Sequence, residues 1–120
     1  MLKRSSNLEF GAQGEARVAK YLQEIGYELI EKNWRIHGGE IDLIFRHPDG
    51  RIIFTEVKSR RSEAYGHPLE AITTAKAQRM RRLALAWLIL HNLWSSPFRI
   101  DAAAVIGDEE FTIDYRKGIA

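Results

Sequence analysis

The chain contains no cysteine. That excludes a disulfide scaffold, a thiolate metal site and a cysteine nucleophile, and it suits a reducing compartment. Long hydrophobic runs are missing as well: the longest, "LALAWLIL" from Leu83 to Leu90, is far too short to span a bilayer. The N-terminal "MLKRSSNLEFG" is basic but has no apolar core of signal-peptide length. A soluble, cytoplasmic protein with no membrane partner is expected. There is no internal repeat, low-complexity tract or Pro/Gly/Ser linker, so nothing supports a division into domains. With 45% hydrophobic content, 120 residues make one globular domain over 1–120. Residues 1–8 are expected to be a flexible arm and 116–120 a tail. His37, His47, His67 and His91 show no ligand spacing, and no zinc site is expected.

Charge is present in both signs, and its distribution says more than its total. The formal net charge is +2 and the sequence pI is near 9.0. From Lys58 to Arg82 the basic residues are Lys58, Arg60, Arg61, Lys76, Arg79, Arg81 and Arg82, against Glu63 and Glu70. After Arg99 the balance reverses, with Asp101, Asp108, Glu109, Glu110 and Asp114. Such segregation favours a polyanion at one end, nucleic acid being the usual one. A plainer reading is a solvated, arginine-rich helix face.

Hydrophobic spacing organises the chain. Val18, Leu22 and Ile25 recur at helical intervals before Gly26, placing a helix from about Ala12 to Ile25. "YELIEKNWRI" reads as a strand. "EIDLIF" and "RIIFTEVKS" are rich in β-branched and aromatic residues, and the intervening "HPDG" makes them a hairpin. "SEAYGHPLEAI" is a loop, and Thr73 or Thr74 caps a long helix, "AKAQRMRRLALAWLILHNLW". "FRIDAAAVIG" and "EEFTIDY" are two more strands. The order is helix, strand, strand, strand, helix, strand, strand: a mixed α/β sandwich rather than an alternating parallel sheet. The second helix, basic and then apolar, could also seek a membrane surface. Its apolar half is greasy nearly all round, which favours the core.

The hairpin carries the unusual chemistry. If Pro48, Asp49 and Gly50 form a three-residue loop, His47 faces Arg51 and the register is fixed. Asp42 then lies opposite Glu56, Glu40 faces Lys58, and the period of two puts all four on one face. Like charges directly opposite are destabilising. Ile41, Leu43 and Val57 make the surroundings partly dry, so two close carboxylates stay ionised only with a positive charge between them. A divalent cation would satisfy both, and oxygen-only ligands suit Mg²⁺ or Mn²⁺. An ordinary wet hairpin face with an exposed Glu40–Lys58 pair is the alternative. Ile44, Ile52 and Phe54 share that face, however, and Glu15 falls on the buried stripe of the first helix.

Glu15, "EID" on one strand and "EVK" (Glu56, Val57, Lys58) on the next together resemble the PD-(D/E)XK nuclease superfamily, with Ile41 where its name has proline. The longer string "GAQGEARVAKYL...NWRIHGGEIDLI...FTEVKSR", with "TAKAQRMRRLA" opening the second helix, resembles the small bacterial YraN-like proteins, from about Leu8 to Tyr115. That group is similar in fold to archaeal Holliday-junction resolvases. The resemblance implies a single nuclease-like domain with a restriction-endonuclease-like mixed sheet flanked by helices. It implies a Mg²⁺- or Mn²⁺-dependent endonuclease acting on structured or branched DNA. Asp42 and Glu56 become metal ligands, with the main-chain carbonyl of Val57 a third. Glu15 is a water-mediated or second-metal ligand, and Glu40 either helps bind a second ion or positions Lys58. Lys58 would hold or deprotonate the attacking water or neutralise phosphate charge, and Gln78 would assist from the second helix. Arg60, Arg61, Lys76, Arg79, Arg81 and Arg82 would contact nucleic-acid phosphates, and Tyr65, Gly66 and His67 could touch substrate. Trp94 is either core or part of a homodimer interface. The rival reading is a non-catalytic nucleic-acid-binding module that keeps the fold.

Overall fold

A computed structural model describes residues 6–120. The elements run α1 (Asn7–Glu24), β1 (Glu28–Ile36), β2 (Gly39–Arg46), β3 (Ile52–Arg60), a single 3-10 turn (Pro68–Ala71), α2 (Thr74–Leu90), β4 (Phe98–Gly107) and β5 (Phe111–Arg116). The five strands form one mixed sheet in sequence order. β1, β2 and β3 form an antiparallel meander, β3 pairs with β4 in parallel, and β5 returns antiparallel. The parallel pair follows from the long crossover through α2, since parallel neighbours cannot be joined by a tight turn. One face carries Leu43, Phe45, Ile53 and Val57 against Val18 and Leu22 of α1. The other carries Ile44, Ile52, Phe54 and Ile100 against Met80, Ala84 and Trp87 of α2.

Several boundaries differ from those expected. Helix α1 starts at Asn7 rather than near Ala12, because Ser6 caps it: its Oγ accepts the Glu9 N–H at 3.2 Å, and Phe10 is buried. Asn7 and Leu8, expected in the arm, are thus helical, and residues 1–5 lie outside the described residues. Helix α2 ends at Leu90, four residues before Trp94, where Asn92 adopts φ 57° and breaks the helix. Trp94 is 72% exposed, so it is not core. The expected 62–72 loop contains the 3-10 turn, capped by the His67 ring, whose Nδ1 accepts the Leu69 N–H. Beyond β5 the tail is tied down: Gly118 N–H donates to Asp101 and Ile119 N–H to the Ile100 carbonyl.

Asp101, which the sequence suggests as part of an acidic surface, is instead fully buried. Arg99 donates to both its oxygens at 2.8 Å, Tyr115 donates its hydroxyl, and Thr55 and Tyr27 extend the network. Burial and the Asp101 charge push the Tyr115 hydroxyl well above its usual pKa, so it stays a donor. The Asp101 hydrogen bonds hold the Arg99 guanidinium firmly protonated. Truncating one partner of such a pair leaves the other charge uncompensated. Asp101→Ala should therefore destabilise the fold by about 3 kcal/mol, read as a lower urea midpoint at unchanged slope; a loss within experimental error would contradict this role.

Candidate functional site

The expected register is present from Arg46↔Ile52 to Leu43↔Thr55, and there the β2–β3 ladder stops. The turn has the anticipated form, with His47 N–H on the Arg51 carbonyl and Gly50 at φ 95°. Beyond Leu43 the Asp42 carboxylate itself accepts the Val57 N–H at 2.8 Å. A side chain thus stands where a strand partner's carbonyl would otherwise be. The strands change character here: Ile41 packs on the α2 side and Leu43 on the α1 side, although an ideal strand would put both on one face. Asn33 of β1 lies between the residues paired with them and is left-handed, at φ 52°. Asparagine tolerates that conformation, and it releases Asp42 from the regular alternation.

Asp42 is 4% exposed. Burial, then the charge of Glu56, raises its pKa well above the carboxylate range, and a hydrogen bond between the two carboxyls adds to this. The Val57 N–H opposes it only in part. Lys58 Nζ lies 3.5 Å from Glu56, both side chains being mostly shielded. Glu15, half-buried on α1, is pushed up to about 7 by burial and by the charges of Asp42 and Glu40. An Asn33 hydrogen bond lowers it somewhat. Glu40 does not pair with Lys58 as the register suggests. Its ion pair is with Arg35 of β1 at 2.7 Å, because the two are direct neighbours on that ladder.

Two cavities flank this point. One of about 310 Å³ lies between β2, β3 and α2, lined by Glu40, Glu56, Lys58, Lys76 and Arg79. The other, about 610 Å³, lies between α1 and β3 and includes Glu15, Val57, Lys58 and Arg60. Lys58 lines both. Gln78 stands exposed on α2, outside both linings. Arg79 donates to the Gly38 carbonyl and so pins the β1–β2 turn. Arg82 lies next to it beside His37 and Gly38. Arg61 sits 4.1 Å over the Phe10 ring and 3.5 Å from Asp108, and Arg81 lies over Phe98. Tyr65 is wholly exposed at the larger cavity, whereas His67 is committed to Asp114 and to its capping bond. Asn33, Arg35 and Ser59 join the site without having been anticipated, and only the asparagine carried a local signal.

Among the described residues no three Asp, Glu or His side chains converge into a metal cage. The donors form a pair, Asp42 with Glu56, with Glu40 and Glu15 acting through charge. That pair fits a magnesium-type ion, which commonly keeps several waters and takes only one or two protein carboxylates. The buried Asp42 carboxylate beside the Glu56 charge gives the fit its physical basis: a cation would offset the burial and repulsion that raise the Asp42 pKa.

The model of the Uncharacterised protein family UPF0102 matches residues 14–105, which span Glu15 through Lys58 and the basic helix. The chain is similar to the UPF0102 protein of Renibacterium salmoninarum, 44% identical over 117 residues covering 95% of this chain and 98% of that protein. It is 48% identical to the UPF0102 protein of Leifsonia xyli over 99 residues, 82% of each chain. The counterpart from Bifidobacterium longum is 39% identical over 100 residues, 82% of this chain and 81% of that one.

The raised carboxyls make stability depend on pH in a definite direction. Glu15 binds its proton more tightly in the native state than in the unfolded chain, where its pKa is near 4.5. Its stabilisation is therefore fully present below about pH 4.5 and is lost as pH rises through about 7. Glu15→Gln keeps the shape without the charge. With chelator present it should melt at the same temperature as the native protein near pH 4, and be more stable by about 1–2 kcal/mol at pH 8, discounted for partial exposure. A difference that does not change with pH would contradict the assignment.

Proposed function

This chain belongs to the UPF0102 family, and from the site that the family match spans we propose a metal-dependent endonuclease that hydrolyses phosphodiester bonds in structured or branched DNA. On this reading the mixed sheet flanked by helices is a restriction-endonuclease-like fold of the PD-(D/E)XK type. The observation that carries it is the buried Asp42 carboxylate, fixed by the Val57 N–H and paired with Glu56, with Lys58 3.5 Å from Glu56.

Asp42 and Glu56 would hold Mg²⁺ or Mn²⁺, which supplies Lewis acidity toward a phosphoryl oxygen and lowers the pKa of bound water. The protein's own part is positional. The Val57 N–H fixes one Asp42 oxygen, so the carboxylate meets its ligand already oriented. Lys58 is a compact cation able to hold a water or offset charge on the phosphate. The Glu56 carboxylate holds that ammonium where it borders both cavities. Glu15 and Glu40 add negative potential that strengthens cation binding, and the Arg35 pair fixes where Glu40 directs it. Lys76, exposed on the first turn of α2, and Arg60, exposed at the end of β3, stand ready for phosphates.

Labelled four-way junction, flap, single-stranded and duplex DNA, incubated with Mg²⁺ or Mn²⁺, test this directly. The native protein should cut one or more of them, EDTA should abolish cutting, and Glu56→Ala and Lys58→Ala should each lower the rate by about a hundredfold or more. A native protein that binds these DNAs, never cuts them, and binds no differently after Glu56→Ala would overturn the enzyme in favour of a non-catalytic binding module.

A further inference from the structure

We propose that the cavity between α1 and the end of β3 is a nucleobase site, taking an unpaired base from the strand whose phosphate reaches Lys58. The choice of a nucleic acid as occupant rests on the endonuclease reading. The base site itself rests on the cavity.

At about 610 Å³ it falls in the size range of small-molecule sites. Its walls suit an aromatic heterocycle, with Phe10 and Val57 apolar and buried on two sides. The α1 wall is cut back by glycine. A Cβ at Gly11 would meet nothing within 4 Å, and one at Gly14 would collide with the Ser59 hydroxyl. That hydroxyl is packed against Gly14, buried and without a hydrogen-bond partner among the described residues. Buried hydroxyls are ordinarily satisfied. Ser59 itself lines the cavity, and every base edge offers donors and acceptors to a serine hydroxyl that turns toward it.

Tyr65 stands at the same cavity with its side chain fully in solvent. Tyr21, Tyr27 and Tyr115 each pack against another ring, whereas Tyr65 has no ring neighbour among the described residues. An uncovered aromatic beside a cationic groove is the arrangement by which proteins stack single-stranded bases. Charge completes the match: Lys58, Arg60 and Arg61 line the cavity against the single carboxyl of Glu15, and Arg61 lies over the Phe10 ring. Because Lys58 also borders the smaller cavity that Glu56 lines, a nucleotide seated here would have its phosphate beside Lys58 and Glu56. A base inside closed duplex would first have to unstack, which costs free energy that a flap, fork or single strand does not require. The substrates singled out are those with unpaired nucleotides beside the cut.

The test is binding with EDTA present, so that cleavage plays no part. The probes are a fluorescein-labelled oligothymidine strand and a blunt duplex of equal length, compared by anisotropy at one salt concentration. Tyr65→Ala should weaken single-strand binding about tenfold and change duplex binding by less than about twofold, with Tyr65→Phe restoring it. Gly11→Leu, which fills the cavity from a position with open space, should cause the same selective loss. Both variants should melt like the native protein. Equal losses on both probes, or no loss on either, would overturn the base site. Glu56-dependent cleavage that ignores Tyr65→Ala and Gly11→Leu would remove this inference and leave the endonuclease standing; selective binding without any cleavage would do the reverse.

Discussion

The site depends on one hydrogen bond, the 2.8 Å contact from the Val57 amide to the Asp42 carboxylate. A strand amide in the centre of a sheet normally meets a carbonyl. Here the β2–β3 ladder ends one residue earlier, and a carboxylate takes over the amide. The exchange opens the sheet at that point and brings a charge into a position only 4% exposed. One charge-assisted bond does not compensate a buried carboxylate that also faces Glu56. The pair consequently has an unmet need for positive charge, and that need is the physical content of the candidate metal site.

Much of this was legible in the sequence because it is local. The "HPDG" turn sets the hairpin register through Gly50 and the His47–Arg51 pair as far as Leu43↔Thr55, one step short of Asp42 and Glu56. The three-strand meander, the Gly26 stop and the Thr73 cap follow from patterns within a few residues. What escaped was non-local or depended on a single unusual dihedral. Asn33 at φ 52° reverses the facing of its neighbours, and no period-two reading of β2 could include it. Glu40 found Arg35 because β1 is as close to β2 as β3 is, and the arginine has the shorter route. Asp101 looked like one acid among several at the C-terminal end. Its burial depends on Arg99 two residues before it and on Tyr115 of the next strand.

The basic segment shows why counting charges exaggerates a binding face. Arg61 is engaged by Phe10 and Asp108, Arg81 by Phe98, and Arg79 by the Gly38 carbonyl. These contacts orient guanidinium groups and fix loops, although Arg79 and Arg81 themselves stay exposed. Arg60, Lys76 and Arg82 remain exposed. On the endonuclease reading each neutralised phosphate would contribute roughly one unit of salt dependence, so a face of few uncommitted cations would give modest, readily reversible attachment to backbone. On that reading discrimination would come from shape and from stacking, neither of which a net charge of +2 suggests.

The sheet also explains why such a site can be rigid while its strands part. β3 loses β2 as a partner beyond Leu43 but keeps β4 on its other edge, paired in register from Ile52↔Phe98 to Arg60↔Ile106. The candidate site residues Glu56 and Lys58 therefore sit on a strand held along its whole length by a neighbour buried from Ile100 to Val105. Alternation along β3 directs Val57 toward α1 and Glu56 toward α2. Opening one edge of an otherwise paired strand exposes both of its faces to a ligand without adding a flexible loop. A site built on strand backbone holds its groups more precisely than one built on loops. That is how a chain of this size can place a carboxylate pair, a lysine and two adjoining cavities around one point.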